Sequence, residues 1–272
     1  MTVAVSEYDS AARRNRGLEE ILDLRDNLAL IGALIDRNLK VRYKRSALGF
    51  LWTMVNPAVM LVALSLAFTR AFSQYAPAYP AYVFPGLLLW NFFAQTTTMI
   101  GEEVAASGEL SRRVRFPKSA IAIAMVVSGV INLMLGILPL LAVLAIAHRP
   151  LGPALLSLPL TIALASVFVL GASLIVATGA LYYGDVMPAW SMVLPAAMLM
   201  TPVVYPAAIL PQRVQSLMRF NPMTYFVDGF RAPLYSNRFP EGLVMMLGIA
   251  AVTVVIGWIV FTRAADDIAY RV

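Results

Sequence analysis

The chain contains no cysteine and only one histidine among its 272 residues. Without cysteine it has no disulfide, no thiolate nucleophile and no cysteine-based metal site. The single histidine, His148, cannot build a histidine-rich zinc site. We therefore expect no metal, no resident cofactor and no catalytic residue in this chain.

Charged residues are also scarce. They make up 13% of the chain, against 60% hydrophobic residues and a mean hydropathy of +0.75, whereas an ordinary soluble domain is about 25% charged. A soluble fold could not enclose so many apolar side chains, because much of a folded chain stays at its surface. This composition excludes a soluble enzyme and a nucleic-acid-binding module, and the net charge of +6 fits loops beside anionic lipid.

Two absences in the sequence concern the energy source for transport. The sequence has no G-x-x-x-x-G-K-[ST] motif, so the chain cannot cradle ATP phosphates in a P-loop. Its long apolar stretches contain no aspartate, glutamate, lysine, arginine or histidine, the residues that proton-coupled carriers usually keep inside the membrane. Both absences favour a passage that is energised from outside the bilayer.

What the sequence does contain is a series of long apolar stretches. A helix needs about 20 mostly apolar residues to cross the hydrocarbon core. The stretches predict an all-α integral membrane protein with six transmembrane helices, near Leu48–Thr69, Ala81–Gly101, Ser119–Ala147, Ala154–Tyr183, Pro188–Tyr205 and Gly242–Thr262.

A seventh apolar segment, Leu217–Tyr235, is rejected as a span because it contains three charged residues: Arg219, Asp228 and Arg231. Each costs roughly 2.5–3.5 kcal/mol at a helix centre, more than neighbouring apolar residues supply. Prolines also interrupt the segment. We predict that residues 206–241 form an external re-entrant hairpin of two short helices, which meet at Asn221–Pro222 before the last span.

Lysine and arginine then orient the chain. With six spans, fifteen of these residues fall on the side of the two termini and six on the other. The positive-inside rule places the fifteen in the cytoplasm. The sequence thus predicts a multi-pass protein of the cytoplasmic (inner) membrane with both termini cytoplasmic.

The region before the first span, residues 1–47, is predicted to be a cytoplasmic N-terminus. Within it, Leu18–Arg45 has apolar residues at steps of three and four and a basic end. This pattern is typical of an amphipathic helix in the membrane interface; a soluble-side helix packed on a partner is the alternative. Residues 48–272 form the membrane domain.

Three stretches together carry a resemblance to a known family. They are Asp36–Pro57 (DRNLKVRYKRSALGFLWTMVNP), Tyr79–Ser119 (with SGELSRRVRFPKS at its end) and Gly184–Pro233 (with GDVMPAW, TPVVYPAAILP and FNPMTYFVDGFRAP). Between Ile35 and Arg263 the chain resembles the membrane subunit (the permease) of type 2 ABC exporters that move O-antigen, teichoic acid and similar surface polysaccharides.

The resemblance implies a homodimer that binds two copies of a separate ABC ATPase subunit, which would hold ATP and Mg²⁺. It also implies a polyprenyl-diphosphate-linked glycan as substrate, and no nucleic acid. A same-fold exporter of teichoic acid or of a smaller lipid or drug is the alternative. An embedded enzyme acting on polyprenyl-linked sugars would need clustered carboxylates or histidines, and between spans four and five only Asp185 is acidic.

The resemblance also implies that residues 102–118 form a cytoplasmic coupling loop that docks on the ATPase subunit. In that loop Val114 and Phe116 would fill a groove of the ATPase subunit, while the three neighbouring arginines would meet acidic residues at its rim. An ordinary positive-inside loop is the alternative. The coupling residues are Arg112, Arg113, Val114, Arg115 and Phe116.

A second basic cluster lies where a lipid diphosphate would meet the cytoplasmic leaflet. Arginine binds phosphate well because its planar fork donates hydrogen bonds in pairs; plain attraction to lipid headgroups is the alternative. The candidates for diphosphate contact are Arg37, Lys40, Arg42, Lys44 and Arg45.

Aromatic residues crowd the first two spans and the predicted hairpin. Sugar rings present apolar C–H faces that stack on aromatic rings, so these residues are candidates for lining a glycan path. An interfacial aromatic belt and ordinary packing are the alternatives. The lining candidates are Phe50, Trp52, Phe68, Tyr82, Phe84, Trp90, Phe93, Tyr205, Tyr225 and Phe226.

Overall fold

The structure is a computed structural model. It describes residues 20, 22–25, 27–43, 51–106, 118–149 and 151–271, and side chains at 20, 22–25, 27–40, 55–106, 119–149 and 151–264. The described residues are almost entirely α-helical and include no β-strand. This confirms the predicted all-α class.

Helices are numbered here from the first one whose full bounds are described; residues 22–25, before it, are also helical. The helices are α1 (Leu28–Tyr43), α2 (Leu51–Phe72), α3 (Tyr79–Ala106), α4 (Lys118–Ile146), α5 (Leu158–Tyr182), α6 (Val186–Met200), α7 (Gln212–Met218), α8 (Pro222–Arg231) and α9 (Leu243–Arg271). A 3₁₀ turn, Pro153–Ser157, leads into α5.

Four helices of the described chain are both long and apolar enough to cross a membrane. The qualifying segments are Val55–Phe72, Ser119–Ile146, Pro153–Tyr182 and Leu243–Ala264, on α2, α4, α5 and α9. They coincide with four of the six predicted spans. The chain is therefore a multi-pass membrane protein.

The other two predicted spans correspond to α3 and α6, which do not meet the same criterion. Helix α3 has 28 residues, but Asn91, Gln95 and two glutamates lower its hydropathy. Helix α6 has only 15 residues, about 22 Å at 1.5 Å per residue, and so falls short of the hydrocarbon thickness. The six-span topology stays a prediction.

Helix α3 is the centre of the core. Tyr79, Phe84, Leu87 and Ile100 on this helix are fully buried, and α2, α4, α5, α6 and α8 all pack against it. The helix also runs to Ala106, so it includes Glu102 and Glu103, which the sequence had assigned to the coupling loop. A central, partly polar helix is shielded from lipid by its neighbours, which is why it tolerates a lower hydropathy.

Helices α5 and α9 pack through a close crossing of their backbones. A Cβ placed on Gly171 of α5 would lie 2.5 Å from the backbone nitrogen of Val254 on α9, and one on Gly257 would collide with the Gly171 carbonyl. Small residues at such crossings allow membrane helices to gain van der Waals contact along their length. Glycine at these two positions therefore makes the crossing possible.

The N-terminal helix lies against the membrane bundle. Leu24 and Ile31 pack on Ala120 and Ala124 of α4, with Trp258 of α9 alongside. A hydrogen bond from Ser119 Oγ to Glu20 Oε1 (2.6 Å) adds a polar contact at the same end. A helix is thus present within the predicted Leu18–Arg45 segment, and part of its apolar side meets the bundle. Its place in the membrane interface stays a prediction.

The chain leaves the helical path after α6. The sequence had extended the fifth span to Tyr205, but residues 201–205 are turns, because the residue before Pro202 is driven out of the helical region (ψ 136° at Thr201). The two predicted short helices are present as α7 and α8, and Asn221 caps α8 by accepting a hydrogen bond from Met223 N. Their entry into the external leaflet stays a prediction.

Candidate functional site

A polar groove lies between α2, α3 and α4, with one residue from α1. It is partly open, so its empty space of about 610 Å³ includes open solvent, and more of its lining surface is apolar than polar. Its polar lining consists of Asn38, Asn91, Gln95, Thr96, Ser128 and Asn132. Its apolar lining consists of Pro57, Leu88, Phe92, Met99, Met125, Gly129 and Leu133.

Gly129 is one reason that the α3 and α4 helices approach closely beside this groove. A Cβ at Gly129 would lie 2.5 Å from the Thr96 hydroxyl oxygen and 2.9 Å from the Phe92 ring. A larger residue would require the side chains of Thr96 and Phe92 to move. The missing side chain therefore leaves room for Thr96 and Phe92 of α3 against α4.

The basic end of α1 is tied to acidic side chains. Arg37 Nη2 lies 2.5 Å from Oε1 of Glu103 at the end of α3, and Lys40 Nζ lies 2.6 Å from Asp36 Oδ2. All four side chains are at least one-third exposed, so each pair is worth at most about 1 kcal/mol. The side chain of Arg42 and the whole of Lys44 and Arg45 lie outside the described residues.

Four of the aromatic lining candidates are packed inside the protomer. Phe84, Trp90, Phe93 and Phe226 are 7% exposed or less. Phe93 and Phe226 each stack on Phe168, at centroid distances of 5.8 and 4.6 Å. The burial of these side chains comes from helix packing, which hydropathy alone does not reveal. In this conformation the four do not face an open path.

The remaining aromatic candidates divide into two groups. Phe68 is exposed and stacks on Phe72, whereas Tyr82, Tyr205 and Tyr225 are half-buried and use their hydroxyls to bind backbone carbonyls. Phe50 and the side chain of Trp52 lie outside the described residues, as do all five coupling residues between 107 and 117.

A buried arginine joins α8 to the centre of the bundle. Arg231 is 4% exposed, and its five N–H donors all have acceptors. Nε donates to the Tyr82 carbonyl (3.0 Å), Nη1 to the Tyr82 hydroxyl (3.0 Å) and to Asp228 (3.1 Å), and Nη2 to the carbonyls of Pro202 (3.0 Å) and Val203 (2.9 Å). The guanidinium also lies 4.0 Å from the Tyr82 ring centroid, within range of a cation–π contact.

Arg231 is part of a clamp on the turn after α6. The carbonyls of Pro202 and Val203 bind Arg231, and the next two, of Val204 and Tyr205, accept hydrogen bonds from the hydroxyls of Tyr79 (2.6 Å) and Tyr82 (3.3 Å). Four successive carbonyls are thus held by side chains of α3 and α8. We call this set of contacts the Arg231 clamp.

The clamp depends on a glycine and continues into the neighbouring loops. A Cβ at Gly86 would lie 2.6 Å from Arg231 Nη2, so glycine leaves room for the guanidinium. The Tyr235 ring packs edge-on against Tyr82, and the Tyr235 hydroxyl donates to the Pro77 carbonyl (2.6 Å). Arg149 also donates to that carbonyl and lies over the Tyr235 ring.

Two tyrosine hydroxyls near the clamp donate hydrogen bonds to backbone carbonyls. The Tyr205 hydroxyl donates to the Leu199 carbonyl (2.6 Å) and the Tyr235 hydroxyl to the Pro77 carbonyl. Burial raises the pKa of Tyr235, and the nearby Arg149 guanidinium opposes that shift. The Tyr235 hydroxyl therefore remains a hydrogen-bond donor at neutral pH.

Sequence reasoning did not identify the Arg231 clamp or the polar groove. The sequence indicates Arg231 only as a charge that prevents a membrane crossing, and its apolar patterns do not distinguish the amides of α3 and α4. For Arg231, the feature of the sequence that could have indicated a buried contact was a charged residue among apolar ones. For the groove, the signal was the presence of amides in otherwise apolar spans.

Long apolar helices packed around a partly polar central helix define a helical integral membrane protein, with a groove between α2, α3 and α4 that is lined in part by polar side chains. The chain belongs to the ABC-2 type transporter family, which matches residues 29–235. The resemblance to the membrane subunits of type 2 ABC transporters is therefore confirmed.

Two relatives from curated proteins cover most of the chain. It is 33% identical over 238 residues to the O-antigen export system permease protein RfbA of Myxococcus xanthus, covering 84% of this chain and 88% of the relative. It is 25% identical over 203 residues to the protein of the same name from Klebsiella pneumoniae, covering 74% and 78%. The match to permease subunits agrees with the prediction of a membrane component rather than an enzyme.

Proposed function

We propose that this chain is the permease subunit of an ATP-driven ABC exporter that moves a polyprenyl-diphosphate-linked, O-antigen-like polysaccharide across the cytoplasmic membrane. The observation that carries the proposal is the near full-length similarity to a protein named as an O-antigen export permease. The family match over residues 29–235 includes the groove and the Arg231 clamp.

In this proposal the chain crosses the inner membrane six times, with both termini in the cytoplasm. Helix α3 contributes the second span because its polar residues are covered by neighbouring helices. Helix α6 and the turn after it together form the fifth span. The pair α7 and α8 enters the external leaflet without crossing, and the Arg231 clamp fixes it to α3.

Two permeases and two ATPase subunits form the working complex. The absence of a P-loop motif supports a separate site of ATP hydrolysis. The predicted coupling loop joins α3 to α4, the two helices that line most of the groove. A movement of the ATPase subunits would thus reach the groove through a single connection.

The direct test is deletion of the gene in its own host. We expect surface polysaccharide to disappear and its lipid-linked precursor to accumulate on the cytoplasmic side, with both effects reversed by a plasmid copy. A second deletion that blocks polymer synthesis should remove the accumulated precursor. Unchanged surface polysaccharide, or loss of a teichoic acid or small lipid instead, would contradict the proposal.

A biochemical test addresses the partner. The purified permease should hydrolyse no ATP by itself, and co-expression with its ATPase subunit should yield a complex of two plus two subunits with ATPase activity. Hydrolysis that stays with the isolated permease through repeated purification would show that the energy source has been assigned to the wrong subunit.

A further inference from the structure

The amide side chains of the membrane helices are concentrated at one place. Within α2–α6 and α9, asparagine and glutamine occur at only four positions: Asn56, Asn91, Gln95 and Asn132. The last three line the polar groove, near the middle of α3 and α4. An amide is expensive to place in hydrocarbon unless it finds hydrogen-bond partners. Gln95 and Asn132 have interactions within the protein, and what sets these amides apart is that they also line one groove.

The lining restricts the chemistry of a ligand. None of the described residues that line the groove is charged. A diphosphate in such a site would be without a cation, and burial of an unpaired charge is strongly unfavourable. Amides and hydroxyls, by contrast, both donate and accept hydrogen bonds, and this pattern matches a neutral ligand rich in hydroxyl groups.

The apolar part of the lining fits the same class of ligand. Phe92 and Met125 line the groove beside the amides, so a ring with polar edges and apolar faces would meet a suitable partner on each side. Gln95 is exposed in the protomer and is therefore accessible from outside the helix pair. Among the side chains that the structure describes on α1, the cations Arg37 and Lys40 lie near Asn38 along the chain, and both are on the exposed surface.

We propose that the groove is a glycan-binding subsite, in which Asn91, Gln95 and Asn132 bind the hydroxyl groups of a neutral sugar unit while the lipid diphosphate stays outside. This inference rests on the proposed export of a polysaccharide and identifies where the protomer holds it. It assigns the sugar and the diphosphate to different parts of the chain.

A purely structural role for the amides predicts a different behaviour. Amides can join membrane helices by hydrogen bonds, and in that case their loss would loosen α3 and α4 but no ligand would occupy the groove. The test must therefore detect the ligand in the groove, and not only a loss of transport.

A single cysteine provides this readout, because the chain has none of its own. Ser128 lines the groove, and its hydroxyl binds the Ala124 carbonyl four residues earlier (2.8 Å). Ser216 on α7 makes the same type of bond to the Gln212 carbonyl (3.0 Å) but lies on the exposed surface, outside the groove. Ser128 is 7% exposed and Ser216 is exposed, so each labelling rate is compared with that of the same variant without ligand. Ser128→Cys then reports on the groove and Ser216→Cys on the outer surface of the complete complex.

The reporters are labelled with a small thiol reagent in three conditions: without addition, with the lipid-linked polymer from the same cells, and with polyprenyl diphosphate that carries no glycan. We expect the polymer to slow labelling of Ser128→Cys at least fivefold, the bare diphosphate to have no effect, and Ser216→Cys to remain unchanged. Asn132→Leu in the same background should abolish the protection, whereas Gln74→Leu, which removes an exposed amide outside the groove, should not.

Other results would overturn the inference. Equal protection by polymer and by bare diphosphate would mean that the groove binds the lipid carrier, and no protection by either would leave only the structural role. Export by the unmodified complex is measured in parallel. If the complex exports polymer but shows no protection, the subsite is wrong while the proposed function stands; if it exports no polymer, the proposed function itself fails.

Discussion

Replacement of Arg231 by methionine should release the turn after α6 from the bundle. Methionine keeps an apolar stem of similar length but removes all five donors of the guanidinium. The carbonyls of Pro202 and Val203 then lose their side-chain donor. Tyr82 loses the donors to its carbonyl and to its hydroxyl, and also the cation on its ring. Asp228 is 57% exposed and can turn to solvent, so it adds little.

The size of the effect follows from these contacts. A buried acceptor left without a partner costs about 1–3 kcal/mol, so the two carbonyls together account for about 2–6 kcal/mol. Removal of one member of a buried ionic network costs about 3–5 kcal/mol in total, which agrees with that sum. A loss of 3 kcal/mol corresponds to a factor of more than a hundred in an equilibrium constant, because about 1.4 kcal/mol is tenfold.

Hydrogen exchange measures this local opening directly. In the purified protein, Arg231→Met should raise the exchange rate of amides in the 201–210 segment by about a hundredfold or more. Arg231→Lys, with three donors and no planar fork, should fall between that variant and the wild type. Arg219→Met is the matched control, because Arg219 is exposed between α7 and α8. If Arg231→Met and Arg219→Met exchange alike over this segment, the clamp does not hold the turn.

Three further predictions concern other parts of the chain. Charge reversal of the three arginines of the coupling loop should abolish co-purification of the ATPase subunit without reducing the amount of permease in the membrane; normal recovery of the ATPase would contradict the coupling role. Gly171→Ala should lower the free energy of unfolding by about 1–3 kcal/mol, because its Cβ clashes with the α9 backbone. Gly248→Ala, on the open side of α9, should not lower it. Equal thermal midpoints for the two variants would show that the crossing can relax. Single cysteines at Gln212 and Ser236, both exposed, should react with an impermeant thiol reagent from outside intact cells, and labelling of either one only after the membrane is opened would disprove the external hairpin.

The positions of the long helices followed closely from the sequence. Four predicted spans match apolar helices, and the step at Asn221–Pro222 marked the start of α8 because proline suits the first turn of a helix and asparagine caps it. The main errors concerned the residues at which helices end. Helix α6 ends at Met200 and does not continue to Tyr205, since two prolines follow, and α3 continues for five residues beyond Gly101.

The tertiary structure alone decided which polar side chains meet. Asn91 and Asn132 are 41 positions apart in the sequence, and Arg231 binds residues of α3 and of the turn after α6 that are 28 to 149 positions away. Transfer of a segment into the membrane depends on the sum over about 20 consecutive residues, so composition by itself determined the class of this protein and most of its helices. The groove and the clamp depend on how each helix is rotated and crossed against its neighbours, and that arrangement arises only when all the helices pack together.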